Sequence, residues 1–168
     1  MHAAEASQDG RTREALRASL AAALPGLQET CRDPWVVIGS AAAWLVGADV
    51  AVADLDLLTS SRDADALRDR WQAQHDAAHR PADAERFRSR FARYRFPGLP
   101  VEVMGGLEVR GIDGWTALRI NRIVRVSIAG LSVPVPSVAE QIRVLDRFGR
   151  AKDRARIDVL KALGEVGE

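Results

Sequence analysis

Between positions 11 and 24, Leu16, Leu20 and Leu24 recur at every fourth residue, the spacing of one helix face, and Pro25-Gly26 supplies a stop signal. The pattern then changes. Trp35-Val36-Val37-Ile38 is a short unbroken apolar run rich in β-branched residues, which predicts a buried strand ending at Gly39-Ser40. Ser40 is placed to N-cap a short helix, Ala41 to Val46, closed by Gly47. A second strand is predicted over Val52 to Leu58. Asp63 opens a polar helix reaching to Ala78, with Leu67 and Trp71 on its inner face, and Pro81 breaks it. Phe91 to Phe96 reads as a strand, Pro97-Gly98 as a turn, and Val101-Glu102-Val103-Met104 as the hairpin partner. Two further strands, near Asn121 to Ile128 and Leu131 to Val135, flank Ala129-Gly130. Pro136-Ser137 caps a helix to Phe148, and a last helix follows Gly149 from Lys152 to Leu163. The order predicts one α+β domain over 1–168: an N-terminal helical segment (1–30), a mixed sheet core (35–135) and C-terminal helices (137–163).

Composition narrows the function classes. The chain has 168 residues, 24 Lys+Arg against 23 Asp+Glu, and a net charge of +1, which argues against a general polyanion coater. Cys31 is the one cysteine, so an intramolecular disulfide and a thiolate zinc cluster are excluded, and the reducing cytoplasm is the expected setting. His75 and His79 stand four apart, but Asp76 follows His75 where a zinc-protease helix needs glutamate. They read as a solvated helix face. Met1 to Gly10 lacks the apolar run of a signal peptide, and no stretch reaches the ~18 apolar residues of a membrane span.

The candidate chemistry lies in three acids set in apolar strands. Asp54 and Asp56 are two apart, so strand alternation projects both carboxylates from one face while Leu55 points into the core. Paired carboxylates repel unless a cation neutralises them, and magnesium, with its preference for hard oxygen ligands, is the natural one. Glu102 has the same setting: a single acid in an apolar strand. On adjacent strands the three would hold metal for phosphoryl-type chemistry. The alternative is a strand end with solvated aspartates and an outward Glu102.

Next to Glu102 in sequence runs an arginine segment. Arg86, Arg88, Arg90, Arg93 and Arg95 fall in a stretch without acids, interleaved with Phe87, Phe91 and Tyr94. Arg93 and Arg95 would share a strand face opposite Tyr94 and Phe96. They form either a positive wall beside the carboxylates, holding a triphosphate or an RNA backbone, or an arginine-coated outer face over inward aromatics.

Gly39-Ser40, a short helix, then Asp54-Leu55-Asp56 resembles the signature of the nucleotidyltransferase (polymerase β-like) superfamily. Val101-Glu102-Val103 is similar to that family's strand with the third acid. The tail from Val135-Pro136-Ser137 through Gly149-Arg150-Ala151-Lys152-Asp153 to Ile157-Asp158-Val159-Leu160 resembles the small branch of AbiEii-type toxins and antibiotic-modifying enzymes. The resemblance implies a mixed sheet with flanking helices and a short C-terminal helical tail. It also implies magnesium-dependent transfer of a nucleoside monophosphate from a nucleoside triphosphate to a hydroxyl on a small molecule, a protein or an RNA. Carried over, Gly39 and Ser40 bind the triphosphate, and Asp54, Asp56 and Glu102 hold two magnesium ions. Glu102 also serves as base, and Lys152 reaches the nucleotide or the sheet carboxylates; Arg93 and Arg95, as the positive wall, would contact the nucleotide. Lys152 has an alternative as a bridge to Asp153 or Asp158. The chain departs from the pattern in three respects: Glu102 stands where aspartate is more usual, Asp146 stands near a common lysine, and little chain follows the last helix for acceptor binding. The second expectation is therefore a weakly active or inactive binding or regulatory module, such as a toxin–antitoxin component with a protein partner.

Overall fold

The computed structural model describes residues 2–166; Met1, Gly167 and Glu168, the ends of the expected 1–168 unit, lie outside the described residues. The elements are α1 (His2–Thr30), β1 (Val36–Ile38), α2 (Gly39–Leu45), β2 (Leu55–Thr59), α3 (Ser61–Arg70), β3 (Phe87–Tyr94), β4 (Val101–Gly111), β5 (Gly114–Ala117), β6 (Ile123–Ile128), β7 (Leu131–Pro136), α4 (Val138–Phe148) and α5 (Ala151–Val166). The main sheet runs β1-β2-β4-β3, with β5 paired to the far part of β4. β2 and β4 are parallel and the other pairs antiparallel, so the sheet is mixed, as the sequence predicts. β6 and β7 form a separate hairpin, and β7 packs beside β1. No helix among the described residues is long and apolar enough to cross a membrane.

Two cores form on the two sheet faces. Val37, Leu55, Leu57, Ala92, Tyr94, Val101 and Val103 pack with Leu16, Leu20, Leu27, Leu67 and Trp71 of α1 and the α3 region. Val36, Ile38 and Leu58 face the other way, onto a cluster with Val144, Leu145 and Phe148 of α4 and Ile157 and Leu160 of α5. On β4, Leu107 and Val109 join this second cluster although Val101 and Val103 lie in the first. One extra residue on β4 between the Arg90↔Gly105 and Arg88↔Glu108 pairs inverts the alternation, and Gly106 at φ +61° absorbs the bend.

Four local expectations differ. α1 does not stop at Pro25-Gly26 but continues to Thr30. Leu27 is buried beyond the expected end, and a Cβ on Gly26 would lie 2.6 Å from Trp71 Nε1, so burial against Trp71 outweighs the lost hydrogen bond at Pro25. α2 begins at Gly39, with Ile38 at the N-cap and no side-chain cap, so Ser40 is a helical residue rather than the cap. α3, capped by Ser60 rather than opened at Asp63, ends at Arg70 instead of Ala78, because Trp71 turns into the core. β3 spans Phe87–Tyr94 rather than Phe91 to Phe96, and β5 had no expectation.

Candidate active site

Strand pairing lines up one row across the sheet. Ile38 opposes Asp56, Asp56 opposes Glu102, and Glu102 opposes Arg93, and directly opposed residues project from one face. Asp54 sits just before β2. The result is a carboxylate triad: Asp54, Asp56 and Glu102 each offer an oxygen, and the three oxygens lie within 4.8 Å of one another. The sharp entry into α2 abuts it. Gly39 has φ +72°, and a Cβ there would stand 2.5 Å from Asp56 Oδ2, so only glycine lets the backbone approach this carboxylate.

The electrostatics are dominated by burial and mutual repulsion of the three carboxylates. Burial, then the Glu102 and Asp54 charges, push the Asp56 carboxyl up to about 7, against the pull of Arg156 and Lys152. Asp56 Oδ1 is buried with no hydrogen-bond partner. Glu102 is also raised, by burial and Asp54, with Arg93 and His79 opposing. Three converging hard carboxylate oxygens, beside an Asp56 side chain whose Oδ1 has no partner, are a donor set that fits magnesium.

The arginines expected to line the site divide. Arg93 reaches the triad itself: its Nη1 lies 2.9 Å from Glu102 Oε1 and 3.5 Å from Asp54 Oδ1. Arg95 lies beyond β3 and is largely exposed, with Nη2 3.2 Å from Asp76 Oδ1. Arg86 donates to the Phe148 carbonyl at 2.5 Å and Arg88 to Glu108 at 3.0 Å, so both tie the scaffold together. Lys152 is exposed and forms no ion pair with Asp153 or Asp158 among the described residues; Arg150 takes Asp153 instead. Ser40, partly buried in the first turn of α2, makes no hydrogen bond among the described residues.

Three participants were not foreseen. His79 is not on a solvated helix: it stacks on Phe91 at 5.7 Å, with Nε2 3.5 Å from Glu102 Oε1. Asp76, expected as helix filler, stands behind Arg93 at 4.0 Å. Arg156 sits one turn after Lys152 on α5, half-buried, and forms no ion pair among the described residues. Its i,i+4 spacing from Lys152 was a visible signal. The chain reversal that brings 75–79 onto β3 follows from Trp71 and a bridge from His75 to Tyr94, which no periodicity announces.

No protein-family model matches the chain, and no curated protein matches its sequence. Solved structures do. A candidate nucleotidyltransferase from Thermotoga maritima matches with a TM-score of 0.70 at 27% identity, over 90% of this chain and 94% of that one. The lincosamide antibiotic adenylyltransferase LnuA, bound to lincomycin, matches with a TM-score of 0.55 at 10% identity, over 84% of this chain and 94% of that one. The antibiotic-resistance factor ANT(2″)-Ia matches with a TM-score of 0.52 at 12% identity, over 89% and 85%.

Proposed function

We propose that this chain, whose fold is that of the nucleotidyltransferases, transfers a nucleoside monophosphate from a nucleoside triphosphate to a hydroxyl acceptor. The observation that carries the reading is the convergence of Asp54, Asp56 and Glu102 within 4.8 Å, with Asp56 Oδ1 orphaned. Those residues would hold magnesium, which supplies charge neutralisation of the triphosphate and of the departing pyrophosphate. Around it, the chain's groups have distinct tasks. Glu102, raised above its usual range by burial, accepts the proton of the acceptor hydroxyl as that oxygen attacks the α-phosphorus. The bond from the α-phosphorus to the bridging oxygen breaks, and pyrophosphate leaves. Lys152 and Arg156, on one face of α5 and without ion-pair partners among the described residues, hold the β- and γ-phosphates together with Ser40 in the first turn of α2. Gly39 keeps the backbone close enough for this. The single cysteine suits a cytoplasmic setting.

A second reading has its own observation. Arg93 already neutralises Glu102 and Asp54, which favours a non-catalytic binding or regulatory module, such as half of a toxin–antitoxin pair. One experiment separates the two. Native protein is incubated with each α-labelled triphosphate, magnesium, and RNA, protein or metabolite pools. Transfer predicts label on an acceptor with release of pyrophosphate, and its loss in Asp54→Asn. The regulatory reading predicts no labelled product with any triphosphate.

A further inference from the structure

Arg93 is the residue in the site whose position the reaction alone does not explain. It opposes Glu102 directly across the β3–β4 ladder, so the pairing is built into the strand register. Its Nη1 bonds Glu102 Oε1 at 2.9 Å and approaches Asp54 Oδ1 at 3.5 Å, and the three side chains are only 22%, 15% and 31% exposed for Arg93, Glu102 and Asp54. Two triad carboxylates are thus already served by a guanidinium, while Asp56 is not. A third acid, Asp76, waits on the other side of Arg93, with Oδ2 4.0 Å from Nε and Oδ1 held by Arg95 at 3.2 Å.

We propose that Arg93 is a displaceable counter-cation: it and the divalent ion compete for Glu102 and Asp54, and Asp76 receives the guanidinium when the ion loads. This rests on the metal-site reading above and adds a regulation to it. Without the ion, Arg93 neutralises Glu102 and Asp54, and Asp56 is left with no donor on Oδ1. With an ion held by the triad, Arg93 would turn the donors it frees toward Asp76. A guanidinium suits the role because its several donors serve two carboxylates at once in a fixed plane, so that one contact can be exchanged while others persist. The inference concerns ion binding, so it stands or falls separately from transfer.

The test is a set of Mn²⁺ titrations read by EPR of the free ion. Removing any positive charge tightens cation binding somewhat, so the discriminating quantity is coupling between residues. Arg93→Gln is expected to tighten Mn²⁺ by ~10-fold, in the range of close charge-pair couplings. Glu102→Gln is expected to weaken Mn²⁺ by less than ~3-fold in the native background, because losing the ligand also loosens the competitor; in the Arg93→Gln background the same change costs ~30-fold. Equal costs in the two backgrounds overturn the proposal. A measurement on the unaltered protein guards against variants that fail to fold. The Arg93 side-chain Nε–H resonance is followed during Mg²⁺ titration, and it should shift with the midpoint of ion binding. A resonance that stays fixed while Mg²⁺ saturates the site overturns the proposal, as does a native protein that binds no Mn²⁺. Ion binding with the expected coupling but no nucleotide transfer sustains Arg93's role and removes only the enzymatic reading.

Discussion

Asp153 and Asp56 are both acids with oxygens sealed from solvent, and their surroundings differ in one respect. Asp153 is fully buried and saturated: Arg150 donates to it from the backbone N–H at 3.0 Å, from Nε at 2.7 Å and from Nη2 at 2.9 Å. The same guanidinium reaches Asp83 at 2.8 Å and lies over the Phe87 and Phe148 rings at 4.8 and 5.6 Å. Buried Asp63 is likewise satisfied, by the N–H groups of Arg32 at 3.0 Å and Asp33 at 2.7 Å. Glu140 follows suit, accepting from Arg122 N–H and from Arg143. Asp56 has cations within electrostatic reach but no donor on Oδ1. Buried acids that join elements of this fold have their hydrogen bonds complete. Asp56, by contrast, lies beside two other carboxylates with Oδ1 lacking a partner among the described residues, which supports the proposed cation site there.

Breaking that contrast should have its largest effect on chemistry. Asp54→Asn and Asp56→Asn each remove a hard anionic ligand, and label transfer from an α-labelled triphosphate should fall by ~10³-fold or more. Glu102→Gln, losing the base, should cost ~10²–10⁴-fold in the same assay. Asp153→Asn acts on the other side of the contrast. It leaves the half-buried Arg150 guanidinium with Asp83 as its remaining carboxylate partner and weakens three charge-assisted hydrogen bonds, so denaturant unfolding should show a loss of ~1–3 kcal/mol, with transfer by the folded fraction retained.

A finer test uses pH. The Asp56 carboxyl is raised from 3.8 to about 7 on folding, so between those values the unfolded chain has released a proton that the folded chain still holds. Ionisation then favours the unfolded state. Metal-free stability should decline as pH rises from about 4 to about 7 and stay at the lower level above, while below that window Asp56 contributes nothing. Mg²⁺ should raise the melting temperature at pH 8 and far less at pH 5. Asp56→Asn should remove most of the decline, leaving the smaller part that Glu102 contributes, and should abolish the Mg²⁺ effect. The smallest expected effect is Arg156→Gln, which should raise the KM for the triphosphate by ~10-fold with a smaller change in kcat, and Arg156→Lys should recover part of it.

Most of the fold was legible because its signals are local. β-Branched runs, Gly-Ser and Pro-Gly turns and the Ser137 cap found the strands of the main row and α4. Two-residue alternation also put Asp56 and Glu102 among apolar neighbours whose side chains face the other core. What escaped depends on partners remote in sequence. Pro25 is tolerated because Gly26 meets Trp71, forty-five positions on, and α3 stops early because that same Trp71 enters the core. Arg93 was expected on phosphate but lies on Glu102, since the register that opposes them depends on where the β3–β4 hairpin closes. His79 and Asp76 reach the site through a chain reversal that carries no apolar period.

The proposed function requires Asp54, Asp56 and Glu102 to hold the divalent ion on which nucleotide binding depends. Calorimetric titration of each triphosphate into native protein, with Mg²⁺ and then with EDTA, tests it directly, with the Asp54→Asn/Asp56→Asn double variant alongside. Native protein should bind saturably in Mg²⁺ and not in EDTA, and the double variant should not bind in either. Binding that persists in EDTA, or that survives loss of both aspartates, would contradict it.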